Sequence, residues 1–297
     1  MTLQTERLAK RASQLKIAAI SLAEDMRNGG FRSLYRGQGI EFSDVRDYLP
    51  GDNVRSIDWN VTARMGKTFI KQYEEDKEIS VFIILDCSAS MESSFGGKSK
   101  LNQAAEAAAL LLLSCQQNSG AIGCVFFDGA IRFSCPPKSG QKNAMIILSK
   151  LDKISLTPEE EKKAGSVLDS ALKGASRLLK KRSLVFVISD WRSRGWEKSL
   201  ASLAQKHDLV PVKITSPTDS QIPDLGTLPF YDPESKKIAL FPTLSKKFKS
   251  EWKGQNQSKT NYWKEICSRH AAYPLEISTE EDCAAAFSRF FSQRFAK

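Results

Sequence analysis

Two uninterrupted apolar runs constrain this chain most: Val81-Phe82-Ile83-Ile84-Leu85 and Leu184-Val185-Phe186-Val187-Ile188, closed by Asp86 and, one residue further on, Asp190. Runs this short, rich in β-branched and aromatic residues and without polar alternation, read as strands buried on both faces. Such strands need helices above and below them, and helical segments do separate the runs. The stretches 101–118, 141–154, 166–182 and 196–207 have helical composition and periodicity, with strands expected at 79–86, 121–128, 183–190 and 208–215. AIRFSCP (130–136) turns back beside 121–128 through Asp128-Gly129, a hairpin signal. Downstream, 228–242 reads as a hairpin about a Pro-Glu-Ser turn, 245–269 as a helix and 273–278 as a short strand, with a last helix from Thr279. The pattern defines an α/β fold whose mostly parallel sheet carries helices on both faces.

In open sheets of this kind, ligands bind outside the carboxyl ends of the strands, where the strand order reverses. Asp86 and Asp190 are both delivered to that edge. Asp86 opens Asp86-Cys87-Ser88-Ala89-Ser90, a carboxylate and two hydroxyls at alternate positions that a sharp turn can bring to one point. Oxygen donors in a compact cluster suit a hard cation such as Mg²⁺, which takes six oxygens and keeps some of them as water. The two hydroxyls neutralise none of the metal's charge, so such a site stays electrophilic. Asp190 is the best further donor. Ser166 is the next, and it also stands where a helix N-cap should, with Asp169 three residues on.

Residues 29–78 have a different texture, with short strand-like pieces, several glycines and the turn Leu49-Pro50-Gly51-Asp52. Asp44, Arg46, Asp47, Asp52, Arg55, Asp58 and Arg64 alternate closely there, and such charges pair locally more readily than they dock a partner. Asp58-Trp59 suits a structural corner. The chain is therefore divided into a leading helix at 1–28, a small irregular or β-rich appendage at 29–78 and the α/β domain at 79–297. Leu8, Leu15, Ala18, Ala19, Leu22 and Met26 give the leading helix one apolar face.

No window approaches 18 consecutive apolar residues, which argues against a membrane span, and the charged N-terminus does not read as a secretory signal. A cytoplasmic location is expected. The six cysteines form no Cys-x-x-Cys pair, and only His207 and His270 accompany them, so neither a disulfide framework nor a zinc site is called for. Cys124 and Cys283 read as small core residues. The net charge of +10 invites a nucleic-acid reading. Its main source is residues 138–213, with sixteen Lys or Arg against eight Asp or Glu, spread over several elements without a run of five or six like charges. Solvated helix faces or an acidic protein partner account for it better.

Taken together, DCSAS, Gly165-Ser166-Val167-Leu168 with Ala171-Leu172, and VISD resemble, in order and spacing, a von Willebrand factor A-type domain (Rossmann-type) with its metal-ion-dependent adhesion site. GIEFSDVRDYLPGDNVRSIDWNVTAR with FIKQYEE resembles the signature of the bacterial family called domain of unknown function fifty-eight, which joins that signature to a von Willebrand A-like domain. The resemblance implies a metal held by Asp86, Ser88 and Ser90 in a first loop, Ser166 in a second, where Thr is usual, and Asp190 in a third. Thr157 is a weaker alternative for the second. It also implies Mg²⁺, with Mn²⁺ or Ca²⁺ as substitutes, and action with MoxR-type AAA+ ATPases in assembling or activating other proteins.

The function expected is therefore non-enzymatic: a Mg²⁺-dependent protein-interaction module whose metal takes a carboxylate from its partner. A metal-dependent hydrolase at the same site would need a general base, and neither histidine lies in the motif loops. Cys87 should point into the sheet, away from the metal. Trp191 and Trp196 flank Arg192 and Arg194 just beyond Asp190, where they could form an exposed contact surface or pack beneath the next helix. Phe287, Phe290, Phe291 and Phe295 read as the buried face of the last helix.

Overall fold

The computed structural model describes residues 40–49, 52, 54–75, 80–92, 97–155, 167–232 and 237–295. The expected helix at 1–28 lies outside them, as do Thr157 and Ser166. The chain separates into two compact units, one spanning Arg32–Glu78 and the other comprising Met1–Phe31 and Ile79–Lys297.

In the smaller unit β1 (Ile40–Asp47) pairs antiparallel with β2 (Phe69–Glu75), with a register shift between Phe42 and Asp44. Between them, among the described residues, lie a 3₁₀ turn, Val54–Ser56, and a short helix, α1 (Trp59–Met65). Asp58 caps it, accepting from the backbone N–H groups of Asn60 and Val61, and Gly66 closes it in the left-handed conformation. The corner expected at Asp58-Trp59 is thus a helix cap, and Trp59 points outward at 67% exposure. The mixed charges pair locally where expected: Arg46 grips Asp52 through two hydrogen bonds of 2.8 Å, and Asp52 also accepts from the Leu49 N–H at 2.8 Å.

The larger unit is built on a six-stranded sheet formed by β3 (Ser80–Asp86), β4 (Ala121–Phe127), β5 (Ile131–Lys138), β6 (Leu184–Ser189), β7 (Asp208–Thr215) and β10 (Leu275–Ser278). Their order is β10-β7-β6-β3-β4-β5, parallel throughout except for β5, which returns beside β4 through the expected hairpin. A separate hairpin pairs β8 (Thr227–Asp232) with β9 (Lys237–Pro242). The continuous apolar runs form the two central strands, β3 and β6. Val81 to Leu85 and Leu184 to Ile188 have no exposed surface, and each such side chain contributes about 1.5–3 kcal/mol of burial.

Helices cover both faces. On one lie α2 (Lys100–Gln117), α3 (Gln141–Ser155) and α8 (Cys283–Phe295). On the other, α4 (Leu168–Leu178), α5 (Glu197–Lys206) and α7 (Lys246–Arg269) pack on Phe82, Ile84, Val185 and Val187. A one-turn helix, α6 (Pro217–Ser220), follows β7. The last helix begins at Cys283, after a turn at Thr279 and Glu280, rather than at Thr279 itself. Phe287 and Phe291 are buried in its core face, with Phe287 edge-on to Phe186. All six cysteines are free, and Cys124 and Cys283 are buried.

Candidate metal centre

The strand order reverses at the centre of the sheet. From β3 the chain moves outward through β4 to β5, and from β6 it moves the other way through β7 to β10. The crevice this opens lies at the carboxyl ends of β3 and β6, where Asp86 and Asp190 stand. After Asp86 the chain turns through a 3₁₀ segment, Ala89–Glu92. That turn folds the alternate hydroxyls together: Ser88 Oγ lies 3.1 Å from Ser90 Oγ, and the Ser88 N–H donates to Asp86 Oδ1 at 3.0 Å. Cys87 is buried with its thiol directed at the Leu85 carbonyl, away from the cluster.

Asp86 and Asp190 are 1% and 4% exposed. Burial, and then the negative charge of Asp190, push the Asp86 carboxyl up to about 6, against the hydrogen bonds it accepts from Ser88 and Ser189. One oxygen of Asp190 accepts the Arg192 N–H at 3.1 Å. The other, Oδ2, is buried and accepts no hydrogen bond, since Arg192 Nε stands 3.5 Å away with no hydrogen bond between them. Without a hydrogen bond, that oxygen has the Arg192 ion pair to offset its burial, and a metal ion would add to it. Two carboxylates and two hydroxyls around such an oxygen fit a small hard cation, with water completing the shell.

Of the five residues proposed from sequence, Asp86, Ser88, Ser90 and Asp190 come together here. Ser166 lies outside the described residues. The N-cap of α4 is Val167, without a side-chain cap. Asp169 serves tertiary packing instead, accepting from Ser199 Oγ on α5 at 2.5 Å and from Lys173. The Val167 N–H donates to the Asp128 carbonyl just past β4, which brings the start of α4 to the carboxyl edge of the sheet.

Sequence reasoning missed three groups. Ser189 is fully buried and donates to Asp86 Oδ2 at 2.7 Å, while its Oγ accepts the Trp191 N–H. Only the parallel register of β3 and β6, pairing Leu85 with Ile188, sets it opposite Asp86. Asp219 accepts from Lys100 Nζ at 2.9 Å and from Arg192 at 2.9 Å. Burial acts to raise its carboxyl, but Lys100 and Arg192 outweigh it and hold it below the ordinary range. The spacing Ser216-x-x-Asp219 was a readable capping signal: Asp219 Oδ2 accepts the Ser216 N–H at 2.9 Å. Lys100, at the start of α2, is the third, buried almost completely against Asp219.

Trp191 and Trp196 form no exposed surface. Both are buried, 4.9 Å apart and edge to face, and Trp191 also packs on Trp263. Trp191 has a left-handed φ of 58°, which its Nε1–H bond to the Val212 carbonyl helps to hold. That backbone turn aims Arg192 back across Asp190 toward Asp219.

Fold and site together define an α/β protein with an oxygen-donor cluster in the central crevice of a mostly parallel sheet. The chain belongs to the family described as Protein of unknown function DUF58, whose sequence profile matches residues 44–262. Uncharacterized protein Rv1480 of Mycobacterium tuberculosis is 26% identical over 246 residues, covering 82% of this chain and 77% of its own. Uncharacterized protein MAV169 of Mycobacterium avium is 24% identical over 161 residues, covering 54% and 92%. Among solved structures, the conserved hypothetical protein BatB from Bacteroides thetaiotaomicron matches with a TM-score of 0.49 and 18% identity, covering 74% of this chain and 100% of its own. No helix among the described residues is long and apolar enough to cross a membrane.

Proposed function

We propose that this protein is a non-enzymatic interaction module of the von Willebrand A type that captures an acidic side chain of a protein partner through a divalent cation. Asp86, Ser88, Ser90 and Asp190 would hold the ion, Mg²⁺ by preference and Mn²⁺ or Ca²⁺ in its place, with Ser166 as a fifth donor. The observation that carries this reading is the buried Asp190 Oδ2, which accepts no hydrogen bond beside a second buried carboxylate. Four protein oxygens leave positions of a six-oxygen shell to exchangeable water, and a partner carboxylate can take one of them. The class of partner implied by family resemblance is a MoxR-type AAA+ ATPase or its client, in the cytoplasm.

The hydrolase alternative needs a general base at the ion. His207 precedes β7 and His270 ends α7 ahead of β10, so both lie in connections entering the amino ends of strands, away from the cluster. A pull-down from cell extract with wild type and Asp86→Ala, each with Mg²⁺ and with chelator, tests the module. Partner recovery by wild type in Mg²⁺ alone, lost in the variant, is expected. Equal recovery of the partner by Asp86→Ala in chelator rules the mechanism out.

A further inference from the structure

A cavity of about 360 Å³ opens beside the metal cluster, on the same carboxyl edge of the sheet, between the ends of β7 and β10 and one face of α7. Its volume falls in the range of small-ligand sites, about 300–1,000 Å³. Its lining residues all have polar side chains except Pro217, though they present as much apolar as polar surface, and Asp219 belongs to them. Asp219 is therefore shared: its carboxylate faces the cavity and also bonds Arg192, whose guanidinium reaches Asp190. The cavity and the cluster are consecutive parts of one surface.

The formal charges of the lining cancel, Asp219 and Glu276 against Lys253 and Lys264, but the residues packed behind it leave a positive surplus. Asp219 is neutralised by Lys100 and Arg192, and Glu276 by an ion pair with Lys264. Lys253, exposed on the α7 wall, has no ion pair among the described residues. Beneath that wall Lys213 Nζ donates to Thr260 Oγ1 at 2.6 Å and brings a further positive charge. The helix as a whole carries seven basic residues against two acidic ones. Hydroxyl and amide donors around an unpaired ammonium recognise an anionic oxygen group.

We propose that this cavity binds a second acidic side chain of the same partner segment, with its carboxylate on Lys253, while the first acidic side chain meets the metal. The partner segment is then an acidic peptide with at least two carboxylates, laid along the carboxyl edge of the sheet from β6 toward β10. The proposal extends the metal-site reading given above, yet Lys253 and the cavity exist independently of any ion.

Fluorescence anisotropy of labelled hexaglutamate against the full chain, at physiological salt, tests both ideas separately. Lys253→Glu is expected to weaken binding roughly tenfold in Mg²⁺ and in chelator alike, since it replaces attraction by repulsion at an exposed site. Lys247→Glu, on the same helix but outside the cavity, should change it by no more than about twofold. Hexaglutamine should not bind. The cavity assignment is overturned if wild type fails to bind hexaglutamate, if Lys253→Glu binds like wild type, or if both lysine variants lose equally. Loss with Lys253→Glu but none with chelator or Asp86→Ala upholds the cavity and removes the metal reading. The opposite pattern removes the cavity alone.

Discussion

At the scale of single residues, the site depends on a repulsion held in place by hydrogen bonds. Asp86 is buried beside Asp190, and only the Ser88 and Ser189 donors oppose the rise of its carboxyl to about 6. A carboxyl raised in the folded state contributes stability that is complete below its unfolded value of 3.8 and is lost as pH rises through about 6. The metal-free protein should therefore be less stable near neutrality than at mildly acid pH on account of this pair. A divalent ion would relieve the repulsion where both groups are ionised. Thermal denaturation should show a larger Mg²⁺-induced rise in Tm at about pH 7.5 than at about pH 5. Asp86→Asn should raise the Tm of the metal-free protein at neutral pH and abolish the response to Mg²⁺. A Tm for Asp86→Asn below that of metal-free wild type would show that the hydrogen bonds lost with the carboxylate outweigh the repulsion relieved.

At the scale of elements, the boundaries were largely legible because their causes are local. The apolar runs of β3 and β6, the Asp128-Gly129 hairpin and the long helix α7 lie within a residue or two of where the sequence puts them. Other features were decided by tertiary contacts. Asp169 reads as a member of a capping box, but it bonds Ser199 on the neighbouring helix. Trp191 and Trp196 read equally as surface or core, and burial against Trp263 made them core. Gly123 in β4 has a reason that sequence does not reveal. A Cβ there would lie 2.7 Å from Phe82 Cδ2 and from the Pro137 nitrogen, and 2.8 Å from the Cys135 carbonyl oxygen. Backbone of the adjacent strand cannot yield as a flexible side chain can. Gly123→Ala should cost on the order of 1–3 kcal/mol, read as a lowered urea midpoint with unchanged slope.

At the scale of the whole molecule, the larger unit separates its tasks between two edges of one sheet. The carboxyl edge carries the cluster and the cavity. The amino edge carries structural pairs, among them Arg182 with the buried Asp208 at 2.6 Å. His207 belongs to that edge. Burial, and then Lys206, hold its imidazole below the ordinary 6.5, outweighing Asp208. The unfolded chain then takes up a proton that the folded chain refuses, so this residue makes stability fall as pH drops through about 6.5. His207→Gln should flatten that part of the profile when urea midpoints at about pH 7.5 and about pH 5.5 are compared with wild type. A profile parallel to wild type would assign the acid sensitivity to other groups.

The α/β class, the order of the elements and the sheet edge that carries the proposed site are all readable in the chain. These follow from hydrophobic period, turn chemistry and strand ends, all of which act over a few residues. Tertiary structure alone decided which groups surround Asp86 and Asp190. Ser189 reaches Asp86 across 103 positions of sequence, and Lys100 reaches Asp219 across 119. Contacts at that separation are set by parallel register and helix packing, which leave no periodic trace in the chain. The oxygen cluster was therefore visible in the sequence, while its supporting serine, its charge network and the cavity beside it were not.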